Sequence, residues 1–402
     1  QEPAEVRAFL AGQIRGDNPF RLKDMDKAVT RLRQAIRKGE RIAVYGDFDT
    51  DGVTATALLV QVLSALGGQV EPYIPHRVDE GYGLNLKALS GLRQRGVRVV
   101  VTADCGIRSI YEAEHAPADL DLIVTDHHTP GKKLPPVLAT VSPRQPDCSY
   151  PFKDLSGVGL AFKLAQALLR VQHRMGQAAD LDESSLLDLV ALGTVADLVP
   201  LTGENRGLVQ NGLEVLNGCS RPGIEALMAS SGLRRGEVDA TAIGFRLGPR
   251  LNAAGRIDSA MLAYELLASS DPLKTRELAK RLDVLNQRRQ ELTECTMAQA
   301  EAQILSQEPG ASLYVAASED FVPGVIGLAA SRLVEAYYRP CIVVELGAEQ
   351  SRGSCRSIPE FDITAALDRC ADLLVRHGGH VAAAGFTIAT DKLDALRQRL
   401  QA

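Results

Sequence analysis

The 402-residue chain has no tryptophan, and only nine phenylalanines and nine tyrosines. So few rings argue against a long aromatic platform on which a single nucleic-acid strand could stack. Its seven cysteines, Cys105, Cys148, Cys219, Cys295, Cys341, Cys355 and Cys370, are odd in number, scattered and never spaced as CxxC. That pattern argues against a disulfide framework and a thiolate zinc site, and it leads us to expect a cytoplasmic protein. No apolar run approaches the ~18 residues of a spanning helix, so no membrane partner is expected. The opening Gln1-Glu2-Pro3-Ala4-Glu5 has neither the basic nor the apolar stretch of a signal peptide. Positive charge is not in excess either: 45 Lys and Arg face 50 Asp and Glu, for a formal net charge of −5. An anionic partner would have to be held by a local constellation rather than by the overall field.

What is present is ordinary for a globular chain, 45% apolar and 24% charged, and long enough for two or three domains. Residues 1–40 read as helical, with a basic stretch from Arg31 to Lys38 that fits a solvated face. From Arg41 short β-rich runs alternate with helices. Strands are expected at Ile42–Tyr45, Val70–Ile74, Val97–Val101, Asp121–Val124 and Ala139–Val141, and helices at Val53–Leu66 and Asn85–Arg95. Such alternation predicts a parallel sheet with helical crossovers. Beyond Pro151 the chain reads as mostly helical. Ser184–Ala196 is almost wholly apolar and should be buried, and a long polar helix is expected from about Asp271 to Ser306, ended by Pro309-Gly310. A second α/β unit follows, with strands near Leu313–Ala316 and Ile342–Val344.

Three of the expected strands run into acids or histidines. They lead into Gly46-Asp47-Phe48-Asp49-Thr50-Asp51-Gly52, Thr102-Ala103-Asp104, and Thr125-Asp126-His127-His128. In an open parallel sheet the carboxyl ends of the strands face one crevice, so these side chains should converge. A further acid, Asp197, follows the apolar helix. Carboxylates gathered in one crevice repel one another, and burial raises their pKa; divalent cations relieve both effects. Mostly oxygen ligands with an imidazole or two point to Mn²⁺ or Mg²⁺. Two such ions form the usual clamp for in-line phosphoryl displacement. An EF-hand reading of Asp47-Phe48-Asp49-Thr50-Asp51-Gly52 fails, because Leu58 stands where the closing Glu would be.

These segments, with Gly193-Thr194-Val195-Ala196-Asp197, resemble the four successive motifs of the DHH phosphoesterase superfamily. Asp47 heads the first motif and Tyr45 precedes it, as in the superfamily's RecJ branch. Gly248-Pro249-Arg250-Leu251-Asn252-Ala253-Ala254-Gly255-Arg256 and Pro323 to Leu333 resemble RecJ signatures. Gly353–Ser357, Gly378-Gly379-His380 and Ala383–Phe386 look like a DHH-associated domain. In two respects the chain departs from the pattern. Phe321-Val322 stand where the family has Trp-His, and the chain ends sixteen residues after Phe386, where family members usually continue into an OB-fold.

The resemblance implies an α/β fold of two lobes joined by a long helix. The lobes would be an N-terminal parallel-sheet DHH domain with a helical extension (1–200) and a smaller DHH-associated substrate-binding domain (307–402), with a helical connection over 201–306. It implies a 5′-to-3′ exonuclease on single-stranded DNA in repair and recombination, using two divalent cations, Mn²⁺ or Mg²⁺, and releasing 5′-mononucleotides. A helicase and a single-strand-binding protein would be its partners, and the chain would act as a monomer. Asp49 and Asp104, helped by Asp47, would hold one ion; Asp51, His127 and Asp197 with a bridging Asp104 would hold the other. Asp126 would orient its neighbours and His128 would contact the scissile phosphate. Arg77, a loop bearing Arg250, Asn252 and Arg256, a turn bearing Ser354 and Arg356, and His380 would bind phosphates. A DHH phosphodiesterase acting on very short oligonucleotides or cyclic dinucleotides, and a non-catalytic scaffold of a replication or repair complex with the same fold, are the alternatives. The leading Asp47 argues against the first, and the complete set of metal-ligand positions against the second. Gly157-Val158-Gly159 reads as packing at a helix start.

Overall fold

The computed structural model describes residues 16–176, 180–218, 221–306 and 311–401. The first fifteen residues of the expected N-terminal helix, Cys219 and the Pro309-Gly310 stop lie outside the described residues. The chain divides into two packed units, one reaching to Leu285 and the other beginning at Asn286.

In the first unit, α1 (Met25–Lys38) buries Ala28, Val29, Leu32 and Ala35, which fall on one helical face. There follow β1 (Arg41–Gly46), α2 (Thr50–Ala65), β2 (Gln69–Tyr73), α3 (Leu86–Gln94), β3 (Val97–Ala103), β4 (Asp121–Thr125) and β5 (Ala139–Val141). The strands form one sheet in the order β2-β1-β3-β4-β5 with every pairing parallel. Both faces are covered, which is why the strands are continuous apolar runs. Ile42, Val44, Val99 and Val101 point into the larger core, under α2, α4 (Gly157–Arg174) and α5 (Leu187–Ala196). Ala43, Tyr45, Val97 and Val100 point the other way, against Leu89 and Leu92 of α3. The two-residue period of a strand does this sorting, with a register shift after Val97 that puts Val97 and Val99 on opposite faces.

The apolar helix expected over 184–196 is present as α5, and it is buried. Its one acid, Asp188, is held by Arg221 at 2.8 and 3.2 Å. Downstream helices add Val209, Leu216, Ile224, Leu227, Leu251 and Leu267 to the same core. Arg250, Asn252 and Arg256 stand not in a glycine-rich loop but on α6 (Gly248–Ile257), which follows a π-helical turn at Ile243–Leu247. Pro249 suits the first turn of a helix, where its missing N–H is no loss. Gly255 serves close packing, since a Cβ there would run into the Phe48 carbonyl. The expected long helix is α7 (Pro272–Leu305), and the boundary between the units falls within it.

The second unit contains β6 (Tyr314–Ser318), α8 (Pro323–Tyr337), β7 (Cys341–Glu345), β8 (Gln350–Arg356), β9 (Leu374–His380) and β10 (Ala383–Ala389). The strand order is β6-β7-β8-β10-β9; β6 and β7 pair in parallel and the remaining pairs are antiparallel. Ile326, Ala330 and Leu333 of α8 pack over Ala316, Cys341 and Val343 on one face. Ser354 and Arg356 are therefore not in a turn. They sit two residues apart on β8 and share one of its faces.

Candidate metal centre

The register of the first sheet builds the site. Gly46 pairs with Ala103, and the ladder runs one residue beyond each strand. Asp47 N–H donates to the Ala103 carbonyl (3.1 Å), Asp104 N–H to Thr125 (3.1 Å) and Asp126 N–H to Val141 (3.3 Å). The first acid after β1, β3 and β4 thus stands in one row at the carboxyl edge of the sheet. Threonines lock the ends: Thr125 Oγ1 donates to the Thr102 carbonyl (2.7 Å) and Thr102 Oγ1 to that of Cys105 (2.7 Å). Asp104 itself has φ 67°, a left-handed conformation that is strained for an ordinary residue and tolerated by Asp.

From β1 the chain turns into α2. Asp49 caps that helix, its carboxylate accepting Gly52 N–H at 3.0 Å, and Asp51 lies in the first turn. The carboxylate of Asp51 is fixed by the start of α4, accepting Gly157 N–H (2.6 Å) and Val158 N–H (2.8 Å). A helix N-terminus offers unpaired N–H donors to an anion, so this is a natural anchor. Asp197 follows α5 directly.

Asp47, Asp51, Asp104 and Asp126 are at most 4% exposed, and His127 is 7% exposed. Burial, and then repulsion from neighbouring acids, pushes Asp51 up to about 7, Asp47 to about 8 and Asp197 to about 9, and raises Asp104 strongly. Burial and the nearby His128 lower His127 to about 4, so it presents a neutral ring. His127 Nε2 lies 3.1 Å from Asp104 Oδ1 and 3.6 Å from Asp197 Oδ2. Asp47 Oδ1, Asp104 Oδ1 and His127 Nε2 are enclosed and have no hydrogen-bond partner. Buried polar atoms are rarely left so, and orphans pointing into one acidic cluster call for a cation. Three groups of residues bring ligand atoms within 4.8 Å of one another: Asp47, Asp49 and Asp104; Asp51, His127 and Asp197; and Asp104, His127 and His128. The first group is all oxygen and the second adds one neutral imidazole, and both fit a hard divalent cation.

His128 is arranged differently. Asp126 takes Ile107 N–H on one oxygen (2.9 Å) and both His128 N–H (3.0 Å) and His128 Nδ1 (2.8 Å) on the other. Burial alone would lower the His128 pKa, but the Asp126 bond and the surrounding acids outweigh it and raise it to about 9. One histidine of the pair is thus neutral and its neighbour cationic.

Three further residues support the site. Asn252, expected on phosphate, has its Oδ1 on Thr50, accepting both the N–H (2.8 Å) and the hydroxyl (3.0 Å) between Asp49 and Asp51. Gly157 must be glycine, because a Cβ there would stand 2.6 Å from Asp104 Oδ1. Tyr82 OH lies 3.2 Å from His128 Nδ1. A Ser156 cap ahead of small residues was the available signal for the Gly157 anchor.

Among the residues expected on phosphate, Arg77 stacks over the Phe48 ring at 3.8 Å with Nε on the Gly255 carbonyl (3.2 Å). Arg250 is engaged by Asp283 at 2.8 Å, and Arg256 lies one turn beyond Asn252 on α6. In the second unit Arg356 donates to Ser331 Oγ (3.1 Å) and Ser354 Oγ (3.3 Å). Ala383 pairs with both Arg356 and His380, so these two share a face of the sheet. Between them that face carries only Ala383, Gly385 and Gly378.

Acids in a row at the end of a doubly covered parallel sheet, a histidine pair and a mixed second sheet define the DHH class. A model of the DHH family N-terminal domain matches residues 41–194, and one of the DHHA1 domain matches 310–402. The single-stranded-DNA-specific exonuclease RecJ of Bacillus subtilis is 44% identical over 386 residues, covering 95% of this chain and 48% of that protein. Its counterpart in Dickeya dadantii is 40% identical, covering 97% and 71%. A crystal structure of exonuclease RecJ bound to manganese superposes with a TM-score of 0.82 at 37% identity, covering 94% of each chain. The chain belongs to the RecJ family. It spans about half of the Bacillus subtilis relative's length.

Proposed function

We propose that the chain hydrolyses single-stranded DNA from its 5′ end with two divalent cations, Mn²⁺ or Mg²⁺, releasing 5′-mononucleotides. The observation that carries this is the row of enclosed, unpartnered acid and imidazole atoms at the sheet edge. Asp47, Asp49 and Asp104 would hold one cation; Asp51, His127 and Asp197, with Asp104 between the groups, would hold the other. Bound there, the cations supply Lewis acidity toward the phosphate and make water more acidic. The chain's own groups do the rest. Gly157 and Val158 hold Asp51, Asn252 holds the turn between Asp49 and Asp51, and Asp126 keeps His128 cationic and aimed. His128 then neutralises charge on the scissile phosphate. Water adds to phosphorus, the bond to the 3′-oxygen of the first nucleotide breaks, and that oxygen leaves with a proton.

The face bearing Ser354, Arg356 and His380, bordered by α8 through Ser331, is the candidate holder of the terminal 5′-phosphate, where a fork of guanidinium donors suits an anion. This reading places the chain in repair and recombination in the cytoplasm. There it would act as a monomer on strands delivered by a helicase and a single-strand-binding protein. Digestion of a 5′-phosphorylated strand with Mn²⁺ tests it. Mononucleotides should appear from the 5′ end, and Asp104→Ala should abolish them while circular dichroism stays unchanged. Near-normal turnover by that variant, or release from the 3′ end, would contradict the proposal.

A further inference from the structure

Leu198 and Phe245 are 84% and 81% exposed, the highest values among the large apolar side chains described. Both sit on irregular backbone. Leu198 directly follows Asp197 and has φ 64°, a left-handed conformation that leucine rarely adopts. Phe245 lies in the π-helical turn Ile243–Leu247. Strained residues and π turns persist where something beyond folding requires them. Neither side chain adds to the core, so packing does not explain them.

Their places in the fold are linked. Phe245 precedes Gly248 by about one turn, and the Gly248 carbonyl accepts Thr50 Oγ1 at 3.2 Å, between Asp49 and Asp51. Asn252, one turn further along that face, holds Thr50 as well. A Cβ at Gly248 would lie 3.4 Å from the Cβ of Ala196, the residue before Asp197. The start of α6, which the turn bearing Phe245 leads into, and the end of α5, which Asp197 and Leu198 follow, therefore meet beside the acids.

We propose that Leu198 and Phe245 form an apolar rest for a nucleobase of the strand whose phosphate lies at the acids. This rests on the nuclease reading above. A phosphodiester brought to Asp197 must bring its bases into the same neighbourhood. An unstacked base has an apolar face of its own, whereas a paired and stacked base has none to offer. Contact with that face is indifferent to sequence. It would give a protein with few aromatics a base contact where the chemistry occurs.

Phe245→Ala and Leu198→Gly test this. Phe245 is solvent-exposed, and glycine adopts a left-handed φ without strain, so neither change should lower the Tm. Each variant is assayed with Mn²⁺ on a 5′-phosphorylated oligothymidylate and on the same strand with abasic residues at its first three positions. On the base-bearing strand KM should rise about tenfold, the scale of one stacking contact, with kcat little changed. On the abasic strand variants and wild type should match. Variants equal to wild type on the base-bearing strand would assign the patch to a protein contact and overturn the proposal. Equal losses on both strands would overturn it too, since the bases would then play no part. Wild type leaving both strands intact would instead overturn the nuclease reading beneath it.

Discussion

Replacing Gly157 by alanine separates the support of the metal centre from its ligands. The new Cβ would stand 2.5 Å from the Asp104 Cβ and 2.6 Å from Oδ1, against the 3.4–4 Å of ordinary contact. Either the Asp104 carboxylate swings away, or the start of α4 withdraws and takes the Gly157 and Val158 N–H groups off Asp51. Both movements spoil a proposed ligand without removing one. Overpacking of this kind costs about 1–3 kcal/mol. Disturbing groups that orient metal ligands typically costs ~10–100-fold in affinity. Calorimetric titration with Mn²⁺ should therefore show Gly157→Ala binding weaker by that factor, about 1.4–2.7 kcal/mol. The far-ultraviolet circular dichroism should be retained. Wild-type affinity in this variant would mean that Asp104 and Asp51 are not the ligands proposed.

The folded-state pKa values of Asp51 (about 7), Asp47 (about 8) and Asp197 (about 9) lie above the ordinary carboxylate value. In the metal-free protein the unfolded chain releases these protons first. The cluster's contribution to stability is thus full below about pH 4 and is lost as pH rises through 7 to 9. Cations replace those protons, so the Tm gain from saturating Mn²⁺ should grow between pH 6 and 9; a gain that stayed flat would contradict the titration. Arg356→Ala should slow cleavage of 5′-phosphorylated strands about tenfold more than of 5′-hydroxyl strands, the scale of a charge-assisted hydrogen bond. Equal slowing in a side-by-side time course would remove the terminal-phosphate role.

Much of the first sheet was legible because its strands are short apolar runs, buried on both faces, that end in acids. Asp47, Asp104 and Asp126 could be picked out from that alone. Their alignment in one row depends on register, which a parallel sheet sets through contacts far apart in sequence. The misread segments share one cause: glycine. Gly248 and Gly255 made α6 look like a loop, but Gly255 gives room to the Phe48 carbonyl. Gly353 made the end of β8 look like a turn, though that strand pairs with β7 and β10 along its length. Asn252 was taken for a phosphate ligand because a polar residue among arginines and glycines invites that reading. Its partner Thr50 lies 202 residues away in sequence, beyond any local signal.

The central claim is that the acids and histidine at the sheet edge hold two divalent cations. Anomalous diffraction from crystals soaked in Mn²⁺ tests it most directly. Two peaks about 3.5–4 Å apart are expected, one among Asp47, Asp49 and Asp104 and the other among Asp51, His127 and Asp197. An absence of manganese at these residues, in crystals that take up the ion elsewhere, would contradict it.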